Sequence, residues 1–87
     1  MLTFEQVKGI QKAFIQEYML PVEWRRYVNM CGISTISILN ADAPDEEKNN
    51  LCLKVGLIKP LPPNMSIPLE YQGVKVFVEI IGEIKLL

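Results

Sequence analysis

The side chains that could carry chemistry in this chain include two cysteines, nine basic and ten acidic residues, but no histidine. Because Ser-His-Asp and Cys-His mechanisms need an imidazole to move the proton, both are excluded within one chain. Two cysteines without histidine cannot fill the four positions of a structural zinc site. The glycines form no phosphate-binding motif. The sequence therefore predicts no catalytic residue, no metal and no cofactor.

The two cysteines, Cys31 and Cys52, are predicted to be free thiols. If residues 33–39 and 51–58 form an antiparallel hairpin, the numbers of opposed residues sum to about 90. The cysteines would then lie about seven ladder positions, or roughly 20 Å, apart, which is too far for a disulfide. Free thiols are typical of a reducing compartment, and we expect both to be inert packing residues.

Acidic side chains crowd the segment between these two predicted strands. Asp42, Asp45, Glu46 and Glu47 carry the oxygen ligands that hard cations prefer, but their spacing is not that of an EF-hand. We expect a solvated loop without a metal.

An aromatic and basic cluster follows the first predicted helix. Trp24 and Tyr27 flank Arg25 and Arg26, so the four residues could pack with the arginines exposed, contact another protein, or stack on nucleic-acid bases. The net charge of −1 gives no strong electrostatic signal for nucleic acid. Contact with nucleic acid is therefore the weakest of the three hypotheses.

The elements that position these residues follow from hydrophobic periodicity. Residues 3–20 predict a helix, capped by Thr3 and Gln6 and ended by Pro21, with one apolar stripe. A short helical turn is expected after Pro21. Alternating or β-branched residues predict three strands, at 33–39, 51–58 and 74–86. In the last of these strands the even-numbered residues form a wholly apolar face, which we expect to be buried.

These elements predict a single α+β domain over residues 1–87, with the amino-terminal amphipathic helix packed on a small, mainly antiparallel sheet of three or four strands. Hydrophobic residues make up 49% and charged residues 22%, which is a composition typical of a folded domain. The amino terminus has no signal-peptide pattern and no apolar stretch is long enough to cross a membrane, so we expect a cytoplasmic protein.

Four short motifs follow one another between residues 28 and 82. They are Val28-Asn-Met-Cys-Gly-Ile-Ser34, the strand Leu53-Lys-Val55, Ile67-Pro68 followed by Tyr71-Gln-Gly-Val-Lys-Val76, and Val78-Glu-Ile-Ile-Gly82. Their order and spacing resemble a small β-rich module that precedes trypsin-like peptidase domains in some bacterial proteins. The resemblance implies a β-rich fold and a peptidase-like partner in a bacterium. It does not imply peptidase activity, because the catalytic domain is not part of the similarity.

The function predicted from these observations is a non-catalytic protein-interaction or regulatory module. Three strands leave sheet edges, so strand addition or a homodimer is a natural hypothesis. The candidate partner-binding residues are Trp24, Arg25, Arg26, Tyr27, Lys75, Phe77 and Glu79. Two alternatives stay open: a small enzyme or subunit with an active site at an oligomer interface that uses Cys31, Glu79 or Lys75, and a weak nucleic-acid binder through Arg25 and Arg26.

Overall fold

The computed structural model describes residues 2–82, in which an amino-terminal helix packs on one face of a four-stranded mixed sheet. The predicted α+β class is confirmed.

The first helix, α1, spans Phe4–Tyr18. The predicted capping box is present, because Gln6 N–H donates to Thr3 Oγ1 at 3.2 Å and Thr3 N–H donates to Gln6 Oε1 at 2.8 Å. Val7 and Phe14 are fully buried against the sheet. Phe4, which belongs to the same apolar stripe, is instead exposed in the first turn.

A short second helix, α2, spans Val22–Arg25 and confirms the helical turn expected after Pro21. The backbone N–H groups of Trp24 and Arg25 both donate to Pro21 O at 3.0 Å.

The sheet contains β1 (Val28–Thr35), β2 (Leu51–Leu57), β3 (Glu70–Tyr71) and β4 (Val74–Ile80), in the order β1-β2-β4-β3. The outer pairs β1/β2 and β3/β4 are antiparallel, whereas the central pair β2/β4 is parallel. A parallel neighbour needs a long connection. The proline-rich residues 58–69 provide it, and Leu61 and Ile67 within them pack against the main core.

The prediction of a strand over residues 33–39 is wrong at its second half. The strand β1 ends at Thr35, and Ile36–Leu39 form a short helix, α3. Ile36 is thereby buried with Ala43 and Cys52 on the sheet face opposite α1, while Ile38 remains 75% exposed. Burial of Ile36 in this second cluster outweighs the β propensity of the local sequence.

The predicted pairing register of β1 and β2 is also corrected. Thr35 lies opposite Leu51 and Cys31 lies opposite Val55, so the numbers of two opposed residues add up to 86 and not to the predicted 90. Cys52 lies opposite Ser34. The cysteines are therefore three ladder positions apart on opposite faces of the sheet, and both are free.

The last strand is shorter than the prediction of residues 74–86. The strand β4 ends at Ile80, and Gly82 follows with a φ of 76°. Predicted strand residues 83–86 lie outside the described part of the chain. The partner strand β3 is not among the three strands that the sequence predicts. The two residues between β3 and β4 are Gln72 and Gly73, with φ values of 50° and 83°, as the common two-residue hairpin turn requires.

Two apolar clusters cover the two faces of the sheet. The main cluster lies under α1 and contains buried residues of the helix and of three strands: Val7, Phe14, Val28, Leu53, Val55, Leu57, Val74 and Val76. The smaller cluster lies on the opposite face, where the segment that follows β1 folds back over Cys52.

Candidate functional site

The outward side of residues 77–80 in β4, called the open edge below, has no neighbouring strand among residues 2–82. The short strand β3 pairs only with Val74 and Lys75, and the last bond on that side runs from Val76 N–H to Leu69 O at 2.9 Å. Alternate residues of a strand direct their N–H and C=O groups to the same side. Val78 and Ile80 therefore direct their backbone groups outward from the sheet.

A shallow groove of about 560 Å³ runs beside the open edge. Its walls come from the residue after α3, from β3 and the residue before it, and from both faces of β4. The lining residues are Asn40, Leu69, Glu70, Lys75, Val76, Phe77 and Val78. Most of them present apolar surface, as is typical of peptide and ligand grooves.

Within residues 74–80, the apolar face predicted for the last strand is buried over only half its length. Val74 and Val76 are buried, but Val78 is 38% and Ile80 56% exposed. Leu69, on the other side of the groove, is 77% exposed. The expectation that the whole even-numbered face is buried is therefore wrong, because the helix covers chiefly β1 and β2.

Charged groups line the face of β4 opposite α1. Lys75 Nζ lies 2.8 Å from Glu47 Oε2. This ion pair joins β4 to residues 40–50, called the acidic loop below. Lys54 Nζ lies 3.6 Å from Glu79 Oε2 across the parallel pair β2/β4. The side chain of Glu79 is 56% exposed, so its carboxylate stays open to a further partner.

The structure divides the predicted partner-binding residues into two groups. Lys75 and Phe77 line the groove, and Glu79 follows them on the same face of β4. Sequence reasoning missed Leu69, Val78 and Ile80. The hairpin signal at residues 72–73 could have found them, because a strand as short as β3 leaves the outward side of residues 77–80 without a strand among residues 2–82.

The predicted residues 24–27 do not line the groove and contribute instead to the helical side of the molecule. The Trp24 ring packs edge-on against Tyr18, with centroids 5.1 Å apart, and Lys59 Nζ lies 5.1 Å from the centre of the Tyr27 ring. Arg25 and Arg26 are exposed. The aromatic rings therefore pack inward, and nucleic-acid binding through the two arginines stays a prediction.

The other long sheet edge, along β1, is partly occupied. Ile36 N–H donates to Asn50 O across the β1/β2 ladder, so even-numbered residues face β2 and Cys31 directs its carbonyl outward. That carbonyl accepts a hydrogen bond from Gln11 Nε2 at 2.7 Å. The two edges thus differ, and among residues 2–82 the open edge of β4 is the one without such a contact.

The cysteines have little nucleophilic character in this fold. Burial raises the pKa of the Cys31 thiol from its ordinary value of 9.0 to about 11. Burial also raises the pKa of Cys52, whose thiol donates to Ser34 O at 3.4 Å. Because the thiolate is the reactive form, these shifts weigh against the alternative in which Cys31 acts as a catalytic nucleophile.

The acidic loop is tied to basic side chains. Besides the contact between Glu47 and Lys75, Asp45 lies 3.1 Å from Lys48. Within residues 2–82, no three acidic or cysteine side chains come together as a possible metal site. No helix in the same range is long and apolar enough to cross a bilayer.

Comparison with known proteins gives no match to any protein family, curated protein or solved structure. The resemblance to the module that precedes bacterial peptidase domains therefore stays a prediction.

Proposed function

We propose that this protein is a non-catalytic interaction module that binds an extended segment of another protein along the open edge of β4. One observation carries the proposal: the outward backbone groups of Val78 and Ile80 have no strand partner among the described residues, and a largely apolar groove meets the same edge at Val78. In strand addition, backbone hydrogen bonds supply affinity, and pockets for alternate side chains supply selectivity.

The exposed apolar surface around the open edge supports the same proposal. A bound strand would cover the side chains of Val78 and Ile80, and a side chain entering the groove would contact Leu69. Removal of this surface from water stabilises the complex, and an edge left exposed in this way is a liability that proteins usually avoid. A function that covers the edge accounts for its apolar character.

The partner's identity is a separate question. The peptidase-like partner implied by the sequence resemblance and a second copy of this chain are both candidates for the same edge. Each would pair an extended strand with the backbone of residues 78 and 80.

The experiment is a selection of random peptides displayed on phage against the immobilised full-length protein, with Val78→Pro and Val78→Thr as matched variants. Proline removes the outward N–H of residue 78 without removing a bond of the β2/β4 ladder, whereas threonine keeps both the N–H and the β-branched shape. Peptides selected on the natural protein should bind the Val78→Thr variant and should not bind the Val78→Pro variant. Circular dichroism checks that each variant folds, and Ile80→Pro replaces Val78→Pro if that variant unfolds.

Amide NMR spectra of the natural protein then locate the binding site. We expect bound peptide to protect the amides of Val78 and Ile80 from hydrogen exchange. Selection of no peptide, or equal binding of peptide to the proline and threonine variants, would overturn the proposal.

A further inference from the structure

From the charges at the open edge we infer the chemistry of the bound segment: an extended peptide with a basic residue between two apolar residues, the basic side chain lying opposite Glu79. The inference rests on the proposed function and specifies which peptides the open edge prefers. It follows from the face of the sheet on which each side chain of β4 lies.

The apolar positions come from the alternation of the strand. Val78 and Ile80 project toward the face covered by α1, since their partners in β2 are Val55 and Leu57. Residues directly opposite each other in neighbouring strands share a face, whether the strands run parallel or antiparallel. The partner residues opposite Val78 and Ile80 therefore meet exposed apolar side chains, and apolar residues fit there.

The basic position comes from Glu79. Its side chain lies on the other face and is 56% exposed, with Lys54 Nζ 3.6 Å away on the inner side. A lysine or arginine of the added strand would approach the carboxylate from the outer side, so that Glu79 would lie between two cations. The other cation of β4, Lys75, is already held by Glu47 at 2.8 Å.

The charge of Glu79 disfavours one antiparallel pairing of the open edge with a second copy of this chain. When Val78 pairs with Ile80 of a second copy and Ile80 pairs with Val78, Glu79 lies opposite Glu79 of the second copy. Like charges that lie directly opposite across a strand pair are destabilising. A basic residue at that position removes the repulsion and replaces it with attraction.

The test uses three synthetic peptides of about eight residues, which is long enough for a strand, identical except for a central Val-Lys-Val, Val-Gln-Val or Val-Glu-Val. Binding to the full-length protein is measured by fluorescence anisotropy. We expect the lysine peptide to bind about two- to five-fold more tightly than the glutamine peptide, and the glutamate peptide to bind least. The preference should weaken as salt is added.

Variants of Glu79 identify the source of the preference. Glu79→Gln should abolish it and Glu79→Lys should reverse it. Glu5→Lys is the control, because it makes the same change in net charge at an exposed position in α1. The inference is overturned if Glu5→Lys alters the ratio of affinities as much as Glu79→Lys does.

The outcomes separate this inference from the proposed function. If the three peptides bind equally and Val78→Pro abolishes their binding, strand addition stands and the charge preference is wrong. If none binds although the random library yields binding peptides, the inferred peptide chemistry is wrong and strand addition stands. If the library also yields none, the proposed function itself fails. If sedimentation shows a dimer that Val78→Pro disrupts, the partner is a second copy. If Lys85→Glu raises peptide affinity, the edge belongs to the chain's own Ile84-Lys85-Leu86. Either of the last two results overturns the assignment to a partner protein.

Discussion

The side-chain amide of Gln11 donates a hydrogen bond of 2.7 Å to the backbone carbonyl of Cys31, and so joins the middle of α1 to the outward edge of β1. The bond satisfies a partly buried carbonyl that has no strand beside it among residues 2–82. It also makes the β1 edge less available for pairing with another chain. The helix thereby contributes both to stability and to the difference between the two sheet edges.

Replacement of Gln11 by methionine should lower the free energy of unfolding by about 1 kcal/mol, because the Cys31 carbonyl loses its donor while the side chain keeps its length. Urea unfolding measures the loss. Gln16→Met is the matched control, since Gln16 is exposed on the same helix. Equal losses in the two variants would contradict the structural role of the hydrogen bond.

Replacement of two glycines of the sheet by alanine should change the free energy of unfolding by different amounts. A Cβ atom on Gly56 would lie 2.6 Å from Ile81 Cδ1 and 3.2 Å from Met30 Cβ, whereas a Cβ on Gly32 would meet no atom within 4 Å. Gly56→Ala should cost about 1 kcal/mol, because the exposed end of Ile81 can move aside while Met30 Cβ stays close, and Gly32→Ala should change stability by less than about 0.5 kcal/mol.

Chemical denaturation of both glycine variants tests the difference. Adding Ile81→Ala should offset part of the loss in Gly56→Ala, because the shortened side chain vacates the space that the new methyl needs. If Gly56→Ala proves as mild as Gly32→Ala, the close packing of Ile81 over β2 is wrong.

The thiols should react slowly. With a pKa of about 11 in place of 9.0, Cys31 carries about a hundredfold less thiolate near neutral pH than an ordinary cysteine. Alkylation by iodoacetamide, followed by mass spectrometry, should therefore be slow in the folded protein and fast in urea. A folded-state rate equal to that of free cysteine would contradict this expectation and revive a catalytic role for Cys31.

The raised pKa of Cys31 also determines how stability changes with pH. An unfolded chain loses thiol protons above pH 9.0, while the folded chain keeps the Cys31 proton until about pH 11. The folded state therefore binds more protons in this interval, and the free energy of unfolding should fall as pH rises through it. Cys31→Ala should reduce the slope of that fall, and an unchanged slope would contradict the assignment.

Glu17 should control the ionisation of two tyrosines. The Tyr71 hydroxyl donates to Glu17 Oε2 at 2.7 Å, and this hydrogen bond is the main reason that the pKa of Tyr71 is raised above 10.0. The pKa of Tyr18 is raised chiefly by burial, with a smaller effect of Glu17. Glu17→Gln should therefore lower the pKa of Tyr71 more than that of Tyr18.

Ultraviolet titration of the phenolate, with Tyr71→Phe to assign the transitions, measures these shifts. The stabilisation from the Tyr71–Glu17 hydrogen bond should be complete below pH 10.0 and lost as pH rises through the raised pKa of Tyr71. Equal shifts of Tyr18 and Tyr71 in Glu17→Gln would contradict the assigned causes.

Local sequence patterns determine the type of most elements in this protein. The capping box at Thr3 and Gln6 begins α1, and strict alternation predicts β2 to within one residue of its observed end. Such signals succeed because a capping box and a side-chain period of two depend only on nearby residues. The same alternation identified Lys75, Phe77 and Glu79 as one face of the last strand.

Tertiary structure alone decided the pairings and the burial of each face. The parallel contact of β2 with β4 and the register of β1 depend on contacts between distant segments, which local periodicity does not specify. Ile36 and Val78 show the consequence. The sequence makes both apolar, but Ile36 leaves the strand to fill a cluster under Cys52, and Val78 lies beyond the reach of β3. The sequence by itself determined which residues alternate along β4, while the tertiary structure decided which half of that strand is left uncovered by residues 2–82, because burial depends on what packs against a face.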